Sequence, residues 1–170
     1  QRCYGGTEND FEEDYGTSLI ELAGGSILFS ANTASNNGDV SGFKGGNSDA
    51  WVVKTDASGN INWQQCIGGI GNDFIRKIRV TPNGNVVTLA QTASANLPGY
   101  HASNGFANNF DILKTRLSTA GNVITQKCYG SISNETPVDL VIINDSIEVM
   151  LAKIKGNGGN ISGAHDAPED

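Results

Sequence analysis

An acidic or amide turn occurs three times along the chain, as Glu8-Asn9-Asp10-Phe11, Gly71-Asn72-Asp73-Phe74 and Ser133-Asn134-Glu135-Thr136. Oxygen donors of this kind suit calcium, a hard cation that takes about 6–8 of them. The spacing fits neither an EF-hand nor the short glycine-aspartate calcium repeats. Asp and Asn side chains also cap turns by bonding nearby backbone amides, and that is the expected role here. The Asn36-Asn37-Gly38-Asp39 loop is a weaker candidate of the same kind. Asp10, Asp39 and Asp49 could converge in space as a hydrolytic carboxylate pair, yet nothing in the pattern singles them out.

His101 and His165 fall in the slot that Lys44 occupies earlier in the chain, so both are expected on exposed loops. A metal site built from one such residue per slot would keep its ligands far apart. Trp51 and Trp63 flank one expected hairpin; either could stack on a sugar ring, but strand aromatics are expected to fill an interface between sheets. Ser, His and Asp are present without a Gly-x-Ser-x-Gly elbow, a His-Glu-x-x-His pair or a phosphate-cradling loop. Gly68-Gly69-Ile70-Gly71 reads as a strand exit, with glycine where φ must turn positive. The sequence thus nominates no catalytic residue, no cofactor-binding residue, no metal ligand and no cofactor. A non-enzymatic protein is expected.

The elements that position these residues are repeated. Gln1-Arg2-Cys3-Tyr4-Gly5-Gly6, Gln64-Gln65-Cys66-Ile67-Gly68-Gly69 and Gln126-Lys127-Cys128-Tyr129-Gly130-Ser131 share one core, with 63 residues from Cys3 to Cys66 and 62 from Cys66 to Cys128. A period of that size means one supersecondary unit copied along the chain. Repeats are counted as 1–63, 64–125 and 126–170, the last stopping before its second hairpin. Val40-Ser41-Gly42-Phe43-Lys44 recurs as Leu97-Pro98-Gly99-Tyr100-His101 and Ile161-Ser162-Gly163-Ala164-His165. The block opened by Asp49-Ala50-Trp51-Val52-Val53-Lys54 aligns without a gap on Asp111-Ile112-Leu113-Lys114-Thr115-Arg116. Three cysteines in one slot sit in parallel positions rather than facing pairs, so all three are expected to be buried thiols.

Turn chemistry divides each full repeat into two hairpins. The first pairs 18–22 with 27–33, 75–81 with 86–92, and 138–143 with 147–154; the second pairs 51–56 with 61–67 and repeats over 113–129. That makes four strands per repeat. Alternation puts Ile61, Trp63 and Ile67 on one face, while Cys66 falls on the other with Asn62 and Gln64. Sheets covered on both faces, repeated at this period, predict an all-β chain of β-propeller blades, each of four antiparallel strands. A sandwich would keep a polar outer face, and a β-solenoid would repeat at a shorter period.

Composition bounds the partners. The net charge of −7 and the pI near 4.7 argue against nucleic acid, which needs a basic footprint, and disfavour an anionic membrane surface. No stretch approaches the roughly 18 apolar residues of a membrane helix, so no membrane insertion is expected.

The combined pattern, Gln-x-Cys-Tyr-Gly-Gly, then Asn-Asp, then Gly-Asp-Val-Ser-Gly, then Asp-x-Trp-Val-Val-Lys-x-Asp-x-x-Gly-Asn-Ile-x-Trp, resembles the tandem propeller-like repeats of large bacterial proteins secreted by the type IX route. The likeness spans essentially the whole chain. Its last repeat departs most, with Ser131 for the second Gly, Glu135 for Asp and Gly159-Asn160-Ile161 for Gly38-Asp39-Val40. The resemblance implies an extracellular or cell-surface protein and no particular activity.

By this reading residues 1–4 form the second arm of a hairpin, and the chain holds about two and three quarters blades, whereas closed propellers have about four or more. An incomplete ring with open strand edges is expected to be completed by the rest of a longer parent chain or by other copies. The expected role is an interaction or structural scaffold, with loops such as 95–109 offered to a protein or glycan ligand. The rival is a propeller acting on polysaccharide.

Overall fold

The computed structural model describes residues 1–10, 18–101, 109–155 and 158–160. Phe11, Asp170, the His165 motif and part of the 95–109 loop lie outside the described residues. The chain folds into β1 (Ser18–Glu21), β2 (Ile27–Thr33), β3 (Asp49–Thr55), β4 (Ile61–Ile67), β5 (Asp73–Val80), β6 (Val86–Thr92), β7 (Asp111–Leu117), β8 (Val123–Tyr129), β9 (Glu135–Ile142) and β10 (Glu148–Ile154). These make three antiparallel sheets: β1-β2-β3-β4, then β5-β6-β7-β8, then the pair β9-β10. The fold is all-β, and each expected hairpin is present. Repeat boundaries at 63/64 and 125/126 fall inside β4 and β8, so the sequence period and the sheets run out of phase.

Turn chemistry sets the hairpins. Asp56 accepts the backbone N–H groups of Ser58 and Asn60, each at 2.8 Å, while Gly59 takes φ 81°. Ser118 does the same for Ala120 and Asn122, with Gly121 at φ 82°. A carboxylate and a hydroxyl thus serve one turn because both place an acceptor three residues ahead of the glycine.

The sheets stack through apolar faces. Between the first and second sheets lie Leu28, Ala50, Val52 and Ile67 from one side and Ile78, Val86, Ala90, Leu113, Leu117 and Cys128 from the other. Between the second and third lie Val87, Leu89 and Ile112 against Leu140, with Ile142, Met150 and Ala152 partly buried. Fully burying a side chain of this size contributes roughly 1.5–3 kcal/mol. The outer face of the first sheet carries Phe29, Trp51, Val53 and Cys66, with Tyr4 packed against them. A repeated amide crosses each seam: Asn32 Oδ1 accepts Ile75 N–H at 2.8 Å, and Gln91 Nε2 donates to Glu135 O at 3.0 Å.

Three expectations are corrected. Residues 1–4 are not a strand; they lie over the β3–β4 turn, where Arg2 Nη1 and Tyr4 OH donate to Gly59 O at 2.8 and 2.7 Å. Side chains tether this segment, and among the described residues no strand pairs with it. Cys3 is therefore exposed, unlike Cys66 and Cys128, and none of the three forms a disulfide. Ile61 and Trp63 occupy opposite faces, since the β3–β4 register shifts at Lys54/Thr55 and a bulge turns one residue over.

Candidate functional site

One end of the stacked sheets carries a row of acids beneath the long β2–β3 and β6–β7 connections. Asp49, Asp73, Asp111 and Glu135 each open a strand, β3, β5, β7 and β9 in turn. Backbone pairing sets them side by side across the seams. Asp73 N–H bonds to the carbonyl of Ser48, the residue before Asp49, at 2.8 Å; Glu135 N–H bonds to that of Phe110, the residue before Asp111, at 2.7 Å. All four are fully buried.

Their oxygens serve the turns. Asp10 accepts Gly6 N–H at 2.5 Å and Thr33 Oγ1–H at 2.6 Å; Asp73 accepts Gly69 N–H at 2.8 Å and Ser94 Oγ–H at 2.7 Å. Asp49 accepts Lys44 N–H at 2.5 Å, and Asp111 accepts His101 N–H at 2.9 Å while its Oδ2 meets His101 Nδ1 at 3.0 Å. Among the described residues, Asp49 Oδ1, Asp111 Oδ1 and Ser48 Oγ are buried without a hydrogen-bond partner. Glu135 is bonded at both oxygens, by Ser131 N–H at 3.0 Å and Ser131 Oγ–H at 2.7 Å. The two departures of the last repeat, Ser131 and Glu135, thus complete one another.

Burial dominates the electrostatics. It pushes the Asp49 carboxyl up to about 7, against the pull of the Lys44 N–H, and nearby Asp73 adds to the rise. Asp73, Asp111 and Glu135 are raised for the same first reason, against hydrogen bonds from Thr92, Gly69 and Ser94 to Asp73, from His101 to Asp111 and from Ser131 to Glu135. The Cys66 and Cys128 thiols are pushed up to about 12, again by burial first, with Asp49 and Asp111 adding. Burial penalises the charged form of each group, and it keeps the two thiols from serving as nucleophiles.

The glycines around this row are dictated by contact as much as by φ. A Cβ on Gly68 would lie 2.3 Å from Asp73 Oδ2, although Gly68 also takes φ 152°. On Gly69 it would lie 2.2 Å from Asn96 Oδ1, and on Gly130 2.3 Å from Asp111 Oδ1 and 2.6 Å from Glu135 Oε2.

Sequence candidates divide as follows. The Asn9-Asp10 and Asn72-Asp73 turns cap backbone, as expected, and Asn72 Oδ1 also accepts Asn47 N–H at 2.7 Å. In the 36–39 loop, Asn37 bonds Thr7 at both its amide atoms and Asp39 accepts Gly5 N–H at 3.2 Å. Asp10 and Asp39 therefore meet at Gly5-Gly6, whereas Asp49 is held by Lys44. His101 is corrected: its ring is mostly covered and bonded to Asp111 rather than free on a loop. Trp51 is buried, edge-on to Phe29 at 6.0 Å, and donates to Gln64 Oε1 at 2.6 Å. Trp63 packs on the β7–β8 turn and donates to Thr119 O at 3.0 Å, filling the seam as expected. Among the described residues no group of three or more His, Cys, Asp or Glu side chains is arranged to hold a metal ion. The acid row was missed as a unit; its signal is that each member heads an expected strand at the repeat spacing.

Compared with protein-family models and with curated proteins, the chain matches none.

Proposed function

We propose that this chain is a non-enzymatic repeat module of β-propeller type, exported to the cell surface or beyond, that acts as an interaction or structural scaffold. One observation carries the reading: the repeated acids are fully buried and bonded to backbone of their own repeat, so the repeat's polar identity goes into architecture. Variation is left to the β2–β3 and β6–β7 connections, which a rigid stack of sheets presents at one end. The middle sheet, covered on both faces, supports the blade assignment. A protein or glycan ligand, the rest of a longer chain or further copies are the partners this architecture suits. The export reading leans on the resemblance to type IX-secreted repeats.

A glycan array run beside a polysaccharide hydrolase panel tests the proposal. Binding without turnover, or neither, is expected. Turnover that Asp49→Asn or Asp111→Asn abolishes would overturn it in favour of a polysaccharide-acting enzyme.

A further inference from the structure

Two faces of the molecule expose residues whose counterparts are buried. Leu19 of β1 is 74% exposed; Ile78 and Leu140, which stand at the same pairing position in the second and third sheets, are each 0%. Leu19 borders a cavity of about 840 Å³ lined also by Tyr4, Phe29, Ala31 and Trp51. At the other end, Val149 and Leu151 of β10 are 53% and 61% exposed. Their counterparts in β6, Val87 and Leu89, are 0%, and Leu28 in β2 matches Val149 and is likewise 0%. Val138 and Val141 of β9 extend that bare face.

Each set is one half of a seam that the molecule builds twice. The seams between the first and second sheets and between the second and third both press the Leu28-type face of one sheet onto the Ile78-type face of the next. On the first sheet the Ile78-type face is covered over β3 and β4, at Trp51, Val53 and Cys66, and open at Leu19 of β1. The third leaves the Leu28-type face open, at Val149 and Leu151. Resting on the scaffold reading above, we propose that two copies of this chain associate head to tail, the β9–β10 face of one seating on the β1–β2 face of the other. The contact continues an interface already made within the chain, and its two sides differ, so it is heterologous: it closes into a ring or runs on as an open array.

Light scattering across a concentration series of the 170-residue chain tests this. The expected mass rises above 17.8 kDa with concentration. Leu19→Asp and Leu151→Asp each weaken association at least tenfold. Mixed, they form a dimer and stop there, because each variant keeps the half the other has lost. Near-ultraviolet circular dichroism checks that each variant folds, and Val149→Lys replaces Leu151→Asp if the latter does not. A wild-type chain monomeric throughout, association that survives in both variants, or a mixture that stays monomeric would overturn the proposal. Polysaccharide turnover would overturn the scaffold reading and leave these masses unchanged, so the two fail separately.

Discussion

The two seams solve one packing problem with different chemistry. Between the first and second sheets, Val52 and Val86 belong to a continuous apolar core. At the corresponding slots of the second seam stand Lys114 and Glu148, which pair directly, with Arg116 Nη1 a further 3.2 Å from the same carboxylate. Arg79 and Asp139 add an exposed pair at 2.9 Å. The Glu148 side chain is only 7% exposed, so its charge has little water and depends on its two cations. One repeat thus tolerates either an apolar or an ionic filling, provided both members change together. What the fold requires of the slot is mutual satisfaction across the seam, since an unpaired buried charge costs far more than either filling.

Breaking one member of the ionic seam is the most damaging test of this idea. Glu148→Val strands Lys114 and Arg116 and is expected to cost about 3–5 kcal/mol in urea unfolding. Lys114→Val with Glu148→Val restores the filling of the first seam at these two slots and is expected to recover most of that loss, with only Arg116 left without its carboxylate. A double variant as unstable as the single one would show that the slots are not equivalent. High salt should lower the wild type relative to the double variant, because screening weakens an ion pair that only the wild type has.

The acid pairs sharpen the comparison through pH. An unfolded Asp49 ionises near 3.8, whereas the folded carboxyl keeps its proton up to about 7. The folded chain therefore binds the extra proton between these values, and stability falls as pH rises from 4 to 7, then levels. Asp49→Asn keeps an acceptor for the Lys44 N–H and removes the ionisation. Between pH 4 and 8 the variant should gain on the order of 3 kcal/mol relative to wild type. Parallel stability curves for the two proteins would refute the burial argument. Gly130→Ala probes the other pair sterically, since the new Cβ meets both Asp111 and Glu135; a loss of about 1–3 kcal/mol is expected, less in a Glu135→Asp background.

Hairpins and faces were legible because they depend on neighbours in sequence. Gly59-Asn60 and Gly121-Asn122 mark turns, and Leu28, Val52 and Trp51, Val53 fall into alternating sets. The bulge that separates Ile61 from Trp63 was hidden, because alternation assumes an unbroken register. The gapless match of the β3 and β7 blocks does put Lys114 in the slot of Val52, a visible anomaly, but its partner Glu148 is apparent only once β10 is laid against β7. The same applies to the acids: each is marked as a turn residue by its own segment, and only the pairing of Asp73 with Ser48 and of Glu135 with Phe110 makes them a row. Cys3 was misjudged because burial in this slot comes from neighbouring strands, which the segment over the β3–β4 turn does not have.

The smallest effect separates the seams by rate. Cys3 is exposed and should react with a thiol reagent at once, while Cys66 and Cys128 wait for the structure to open. Cys66 lies on the outer face of the first sheet beside Tyr4 and Phe29, its Sγ 3.4 Å from Ser41 O. Cys128 lies inside the first seam, where exposure requires two sheets to part. Labelling under native conditions, followed by mass spectrometry, should therefore run Cys3, then Cys66, then Cys128. In the Glu148→Val variant the Cys128 rate should change little, because the second seam can loosen while the first holds. Equal acceleration of both buried thiols would mean that the sheets open as one unit, and the contrast between an apolar and an ionic seam would then concern composition without any difference in local stability.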